Sequence, residues 1–323
     1  MRKCTVFLLT FFFLLTSCDL FYPDAAENRT IYLFSVALDY VGTSMNSLHG
    51  AVNDQSAMIS QFEFLAEKTG TDLVSISFTA RQRHYYRQDS SIRKGAEESV
   101  RTELSGHDMK ESIFAALSEL RFCLKENDIF IFYYAGHGAN SSNKNNEHLN
   151  GALVVGNIYF PDIGYWQEEA GNMSSLIELS ALKKAMSAFC CPKLVILDSC
   201  YSGSVDEEED RLSGRNEILS AVLSLFTNPD EGNSGFYFMS ASRSDELSYE
   251  DDSAGLAHGF FSAGLLTALG WQFHSPGVEG PGLPSDPVIS VAGLYEALEG
   301  HELWSYQSPV LNRFYIDLVL FTL

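Results

Sequence analysis

The chain has 323 residues, of which 46% are hydrophobic and 20% charged, so it can bury a sizeable core and is not disordered in bulk. Its 42 acidic residues outnumber its 21 basic residues, which gives a formal net charge of −21. This charge excludes a nucleic-acid-binding role, because phosphates require a basic face, and it suits basic substrates.

The N-terminus predicts a targeting segment rather than part of the fold. An apolar run over 5–16 is too short to span a bilayer and has the layout of a secretory signal over 1–17. Leu15–Cys18 (Leu-Thr-Ser-Cys) resembles a bacterial lipobox, which implies an acylated Cys18; an ordinary cleaved signal with a chance cysteine is the alternative. The polar stretch 18–29 suits a tether. We therefore expect a protein of the cell envelope, lipid-anchored to a bacterial membrane on its periplasmic or surface side.

The chain from residue 30 onward predicts one α/β domain. Short apolar runs alternate with segments of helical periodicity, the pattern of a parallel sheet covered by helices. The polar, locally basic segment 79–101 and the Gly- and Pro-rich segment 275–287 are predicted as loops. The predicted elements are strand 31–38, a helix that follows the stretch 48–54 and runs to about residue 68, strand 73–78, helix 105–125, strand 128–135, strand 152–155, helix 176–189, strand 194–197, strand 235–242, helix 258–269, helix 291–298 and strand 314–320.

An imidazole and a thiol follow two of these strands. His137 stands between two glycines just after strand 128–135, and Cys200 follows strand 194–197. In an open parallel sheet the carboxyl ends of the strands form the edge where ligands bind. Thiol catalysis needs a thiolate and a neighbouring imidazole that takes its proton. The sequence therefore predicts a Cys200/His137 catalytic dyad; a buried histidine and a buried cysteine that merely end two strands are the alternative.

Small residues beside the dyad favour the same chemistry. A glycine has no Cβ, so its backbone can approach a scissile carbonyl and donate its N–H group to the developing oxyanion. We predict the N–H groups of Gly138 and Cys200 as these donors. His148 lies in the Asn- and Ser-rich segment 139–150, where no strand would hold it, so it is not predicted as the base.

The two motifs resemble those of the caspase-like cysteine peptidases (peptidase C14), and most of all the metacaspase and bacterial branch. Tyr-Tyr-Ala-Gly-His-Gly, ending at Gly138, is similar to the family's histidine motif, and Asp-Ser-Cys-Tyr-Ser-Gly, starting at Asp198, to its cysteine motif. The resemblance implies a caspase-like three-layer αβα sandwich with a mostly parallel central sheet of about six strands. It also implies a large half over 30–203, an acidic linker over 204–233 and a small half over 234–323.

The resemblance also implies substrate-binding residues. Asp54 and Asp198 fall where the family has its specificity pocket, so two carboxylates would favour Lys or Arg before the scissile bond. Ser240 and Asp245 belong to a segment similar to the family's small-half motif and are further candidates. Alternatives stay open: Asp54 stabilises a helix N-terminus, and Asp198 caps backbone N–H groups near the cysteine. His258 is predicted to start a helix rather than to take part in chemistry.

Thiol chemistry requires no cofactor, and no metal site is predicted. The six cysteines lack the spacing of a zinc site or a disulfide framework, and Cys123 is predicted to lie on the apolar face of a helix. The acidic run 206–210 is most simply a solvated loop; a calcium site like that of some metacaspases is the alternative, although the run lacks alternating ligand spacing.

Together these features predict a cysteine-type endopeptidase that acts on polypeptides and cuts after Lys or Arg. The thiolate would attack the scissile carbonyl and form a thioester, which water then hydrolyses. Two alternatives stay open. One is a catalytically idle caspase-fold surface lipoprotein that acts as a binding module, and the other is a peptidase with a preference for Asp.

Overall fold

A computed structural model of the chain describes residues 29–93, 96–105, 108–139, 152–157, 174–199, 235–241, 250–251, 257–275, 278–299, 310–311 and 317–323. The strands are β1 (Thr30–Leu38), β2 (Asp72–Arg81), β3 (His84–Arg93), β4 (Ala96–Leu104), β5 (Ile129–Ala135), β6 (Gly138–Ala139), β7 (Ala152–Val154), β8 (Leu176–Glu178), β9 (Lys193–Asp198), β10 (Phe236–Ser240), β11 (Glu250–Asp251), β12 (His258–Gly259), β13 (Gln272–Ser275), β14 (Val278–Gly280), β15 (Val288–Ser290), β16 (Val310–Leu311) and β17 (Val319–Thr322). The helices are α1 (Ala51–Thr69), α2 (Met109–Leu120), α3 (Leu179–Met186), α4 (Phe260–Ala268) and α5 (Val291–Glu299).

The main sheet has eight strands in the order β16-β10-β9-β5-β1-β2-β3-β4. Its five central strands, from β10 to β2, run parallel. Antiparallel strands extend it at both sides, β16 beside β10 and the pair β3 and β4 beside β2. The predicted α/β class with a mostly parallel centre is confirmed, with eight strands where about six were expected.

The segment 79–101 was predicted as a loop, and that prediction is wrong. β2 continues to Arg81, and the chain turns back through β3 and β4, which pair antiparallel over their full lengths. The side chains of β4 are exposed except for the partly buried Leu104. Because neither strand alternates apolar and polar residues clearly, backbone pairing to β2 rather than a hydrophobic face forms this extension.

Helices cover both faces of the sheet and make three layers. On one face, α1, α4 and α5 pack against side chains such as Ile131 and Ile196. On the other face, α2 and α3 pack against neighbours of these residues in the same strands, Phe132 and Val195. Every residue of β5 is buried, as expected for a central parallel strand with helices on both sides.

Helix α1 links this core to the carboxyl edge of the parallel strands. Phe62 and Leu65 are buried on its inner face. It ends at Gly70, whose φ of 69° suits a residue without Cβ and whose N–H group donates to the Ala66 carbonyl. Its first turn holds Asp54.

Several other boundaries differ from the predicted ones. The predicted helix 176–189 is strand β8 followed by the shorter helix α3, and the predicted loop 275–287 contains strand β14. At the end of the chain, the described strand is β17 rather than 314–320. Cys123 lies beyond the end of α2 and is exposed, so its prediction as a helix core residue is wrong.

Parts of the predicted organisation lie outside the described residues, namely the signal segment 1–17, Cys18 and the acidic linker 204–233. None of the helices in the described ranges combines the length and the hydropathy that a bilayer span requires.

Candidate active site

The strands that carry the two motifs are direct neighbours in the sheet. β5 and β9 pair in parallel with Ala135 opposite Asp198. The pairing continues one step further, because the Gly136 N–H group donates to the Asp198 carbonyl at 3.1 Å. The chain therefore leaves both strands side by side at the carboxyl edge of the sheet.

His137 follows this edge and is only partly exposed. Its Nε2 lies 2.7 Å from the Asn46 carbonyl oxygen in the loop between β1 and α1. A carbonyl can only accept, so Nε2 carries the proton and Nδ1 is the basic nitrogen of the neutral ring. Burial lowers the His137 pKa from its usual value, and the Asn46 carbonyl partly offsets this effect. The ring is therefore neutral at pH 7 and able to accept a proton.

Tyr40, the second residue after β1, holds His137 in place, and sequence reasoning missed it. Its hydroxyl accepts the His137 N–H group at 2.9 Å and donates to the Val154 carbonyl at 2.6 Å. Its ring centroid lies 4.5 Å from that of the imidazole. The Tyr134 hydroxyl, 2.7 Å from the His137 carbonyl, completes the support. The sequence feature that could have identified it is a tyrosine two residues beyond β1, a strand that ends at the same edge of the sheet as β5.

Gly138 enters the short strand β6, where it pairs with Leu153 of β7. The Val154 N–H group donates to the His137 carbonyl at 3.0 Å. This bond makes Gly138 and Leu153 a pair that exchanges no hydrogen bonds between its own backbone groups. The Gly138 N–H group thus stands outside the β6 to β7 ladder, which suits its predicted role as an oxyanion donor.

The predicted nucleophile Cys200 and the substrate-binding candidate Asp245 lie outside the described residues. Ser240 is described and fully buried at the end of β10, in register with Leu197. Side chains alternate between the faces of a strand. Ser240 shares the face of Phe236 and Phe238, which is opposite to the face of Asp198.

Asp54 and Asp198 meet on the α1 and α4 side of the sheet. The two carboxylates lie around Gly259, where a Cβ would stand 3.2 Å from an Asp54 oxygen and closer still to an Asp198 oxygen. Asp54 accepts the Gly259 N–H group at 2.9 Å. Asp198 accepts the hydroxyl and the N–H group of Ser262 at 2.5 and 3.2 Å. Two of the predicted pocket residues are therefore brought together.

Burial has a strong effect on Asp54, which is 1% exposed. It raises the Asp54 pKa to about 7, with a further contribution from the charge of Asp198, while the hydrogen bond from His258 lowers it. The same carboxylate lies within hydrogen-bond distance of the His258 ring at 2.6 Å and of the Gly259 N–H group at 2.9 Å. Asp54 therefore interacts with His258 and Gly259 in addition to the dipole of α1.

Three contacts fasten the start of α1 to the segment 250–259. The Glu250 carboxylate accepts the N–H groups of His49 and Gly50 at 2.8 and 3.0 Å. Asn53 donates to the Ala257 carbonyl at 3.0 Å. No periodicity along the chain predicts these contacts, since they join residues about two hundred positions apart. They hold the first turn of α1, which carries Asp54, beside the junction between β12 and α4.

No group of three or more metal-ligating side chains is found within the described ranges. The acidic run 206–210, where the sequence left a calcium site open, lies outside those ranges.

Comparison with known proteins gives a family match. A family model described as the caspase domain matches residues 36–276, while no curated protein matches the chain. Protein GSU0716 from Geobacter sulfurreducens is similar in structure, with a TM-score of 0.47 and 12% identity over 88% of this chain and 93% of its own. A secreted C11 cysteine protease from Bacteroides thetaiotaomicron, solved with an irreversible peptide inhibitor, has a TM-score of 0.35 and 14% identity over 77% of this chain and 55% of its own. The family match includes both motif positions, His137 and Cys200.

Proposed function

Because the chain belongs to the caspase-domain family, we propose that it is a cysteine-type endopeptidase with Cys200 as nucleophile and His137 as general base. The pairing of Ala135 with Asp198 is the observation that carries this proposal. His137 and Cys200 each come two residues after this pair, and two residues reach at most about 7 Å. We therefore expect the thiol and the imidazole to lie at one edge of the sheet.

The position of His137 supports its role as the base. Its Nε2–H group is bonded to the Asn46 carbonyl, so Nδ1 takes the thiol proton. The Cys200 thiolate attacks the scissile carbonyl carbon and forms a C–S bond, and the N–H groups of Gly138 and Cys200 stabilise the oxyanion. Collapse breaks the C–N bond, and the imidazolium gives its proton to the leaving amine. Water then hydrolyses the thioester with His137 as base, and the thiol is restored. These steps need no cofactor.

The acidic cluster around Gly259 supports cleavage after Lys or Arg. Asp54, Asp198 and Glu279 contribute three carboxylates, and the basic side chain of His258 contacts Asp54 and Glu279. A site with this charge attracts a basic side chain and repels an acidic one. The substrate class is a polypeptide with Lys or Arg before the scissile bond.

The N-terminal sequence motivates a separate proposal on location. Leu15–Cys18 resembles a lipobox, so acylation of Cys18 would hold the domain at the surface of a bacterial membrane through the tether 18–29. Metabolic labelling with a fatty-acid analogue tests this proposal. Label on the wild type that disappears in Cys18→Ala would support it, and equal label on both would contradict it.

Cleavage of fluorogenic peptides ending in Arg, Lys or Asp tests the proposed activity. We expect the full-length protein to cut the Arg and Lys peptides, Cys200→Ala to be inactive, and the control Cys123→Ala, which loses an exposed thiol, to keep full activity. Preference for Asp would keep the dyad and contradict the proposed pocket. Folded wild-type protein that cuts no peptide, with or without calcium, would favour the binding module.

A further inference from the structure

His258 is buried between two carboxylates, although its sequence position suggested only a helix start. It is 5% exposed. Its Nδ1 lies 2.6 Å from an Asp54 oxygen, and its Nε2 lies 2.9 and 3.1 Å from the two oxygens of Glu279 on β14. One imidazole thus connects helix α1 to the hairpin formed by β13 and β14.

This arrangement suits the charged form of the ring. An ionised carboxylate only accepts hydrogen bonds, and only an imidazolium has a proton on both nitrogens. Burial lowers the His258 pKa, but the hydrogen bonds and charges of Asp54 and Glu279 outweigh this effect and leave the pKa above its usual value. The two carboxylates therefore favour the protonated ring.

The other charged groups around His258 are acidic. Glu250 lies on β11, which pairs with β12, and Asp198 lies on the other side of Gly259. The remaining neighbour is the ring of Phe273, whose edge faces the imidazole at a centroid distance of 5.5 Å. Within the described ranges, no lysine or arginine forms an ion pair with Asp54. His258 is thus a basic partner of Asp54, the carboxylate that shares Gly259 with Asp198.

We propose that His258 is a specificity-determining residue, whose protonation sets the charge of the pocket formed by Asp54 and Asp198. This inference rests on the proposed peptidase function. The protonated ring offsets one carboxylate, so a basic substrate side chain meets a weaker negative field. When the ring loses its proton, the pocket gains one negative charge, and the preference for a basic over a neutral side chain increases.

The ratio of kcat/KM for an Arg peptide to that for the matching citrulline peptide measures this preference. Citrulline has nearly the shape of arginine but no charge, and protonation of the dyad affects both substrates equally. We expect the ratio to rise about three- to tenfold between about pH 6 and about pH 9 in the wild type, the size of one charge acting across a partly solvated pocket. In His258→Gln only the ionisation of Asp54 remains, so the rise should be clearly smaller than in the wild type. In the control His274→Gln, which changes an exposed histidine on β13, the rise should persist.

A second variant and a second readout make the test independent of folding and of turnover. Glu279→Gln removes one carboxylate partner of His258 while the Asp54 contact remains, so the midpoint of the rise should move to lower pH. Proton NMR titration of the imidazole, assigned with His258→Gln, should show the same midpoint and the same displacement.

The outcomes separate this inference from the proposed function. A constant ratio in an active wild-type enzyme, or an unchanged rise in folded His258→Gln, would overturn the inference alone. A wild-type protein that cuts neither peptide would overturn the proposed peptidase function and the inference with it.

Discussion

Replacing Tyr40 with Phe removes one oxygen atom from the support of His137. The phenol oxygen accepts the His137 N–H group at 2.9 Å and donates to the Val154 carbonyl at 2.6 Å. The Val154 carbonyl keeps the Tyr134 hydroxyl at 2.8 Å, and that hydroxyl loses its 3.0 Å contact with Tyr40. The His137 N–H group loses its acceptor. A donor left unsatisfied in a largely buried position costs about 1–3 kcal/mol. The ring that packs on the imidazole stays in place.

Two measurements check this prediction. Denaturant unfolding should show a loss of about 1–3 kcal/mol in Tyr40→Phe and of less than about 0.5 kcal/mol in the control Tyr86→Phe, whose ring lies beside Arg101 on the β3 to β4 extension. Because His137 loses this support, its ring should be displaced, which should lower kcat about ten- to a hundredfold with little change in KM. Unchanged stability together with unchanged kcat would refute the reasoning.

Three further predictions follow from the contacts of α1, His258 and His137. Gly50→Ala places a Cβ 2.8 Å from the His258 carbonyl carbon, so the free energy of unfolding should fall by about 1–3 kcal/mol. The control Gly280→Ala, whose Cβ would meet nothing within 4 Å, should lose almost none. Equal losses in the two variants would contradict this. The pKa values of both Asp54 and His258 are raised, so the native state holds more protons than the unfolded state. The unfolding free energy should therefore fall from about pH 4 to about pH 7 as Asp54 ionises, and fall further above about pH 6.5 as His258 loses its proton. An Asp54→Asn/His258→Gln double variant should flatten the profile, and an equally steep profile would contradict the pairing. Because burial lowers the His137 pKa, kcat/KM should lose half of its value only below about pH 6.5, and a midpoint above that value would argue against His137 as the neutral base.

The fold class was predictable because each central strand has a strong local signal. Apolar runs such as Leu194–Leu197 have no plausible place except a buried strand, and the crossover helices between them impose a parallel sheet. The positions of His137 and Asp198 at one edge follow from that topology. The β3 and β4 extension was not predictable in the same way, because its strands pair through the backbone and bury little apolar surface.

The contacts around the candidate site depended on tertiary structure. The partnership of Asp54 with His258 joins residues 204 positions apart, and no periodicity encodes it. A Cβ at Gly259 would collide with Asp198, but the sequence alone shows only a glycine before a helix. Tyr40 was missed because its importance comes from its distance to His137.

The location of a covalent adduct tests the central claim, the Cys200/His137 dyad, most directly. The full-length protein is treated with an irreversible Arg-ending peptide acyloxymethyl ketone, and the modified residue is identified by mass spectrometry. The account predicts an adduct on Cys200 that forms far more slowly in His137→Ala, while the exposed Cys123 and Cys190 stay unmodified. An adduct that forms equally on all exposed thiols, or at an unchanged rate without His137, would contradict it.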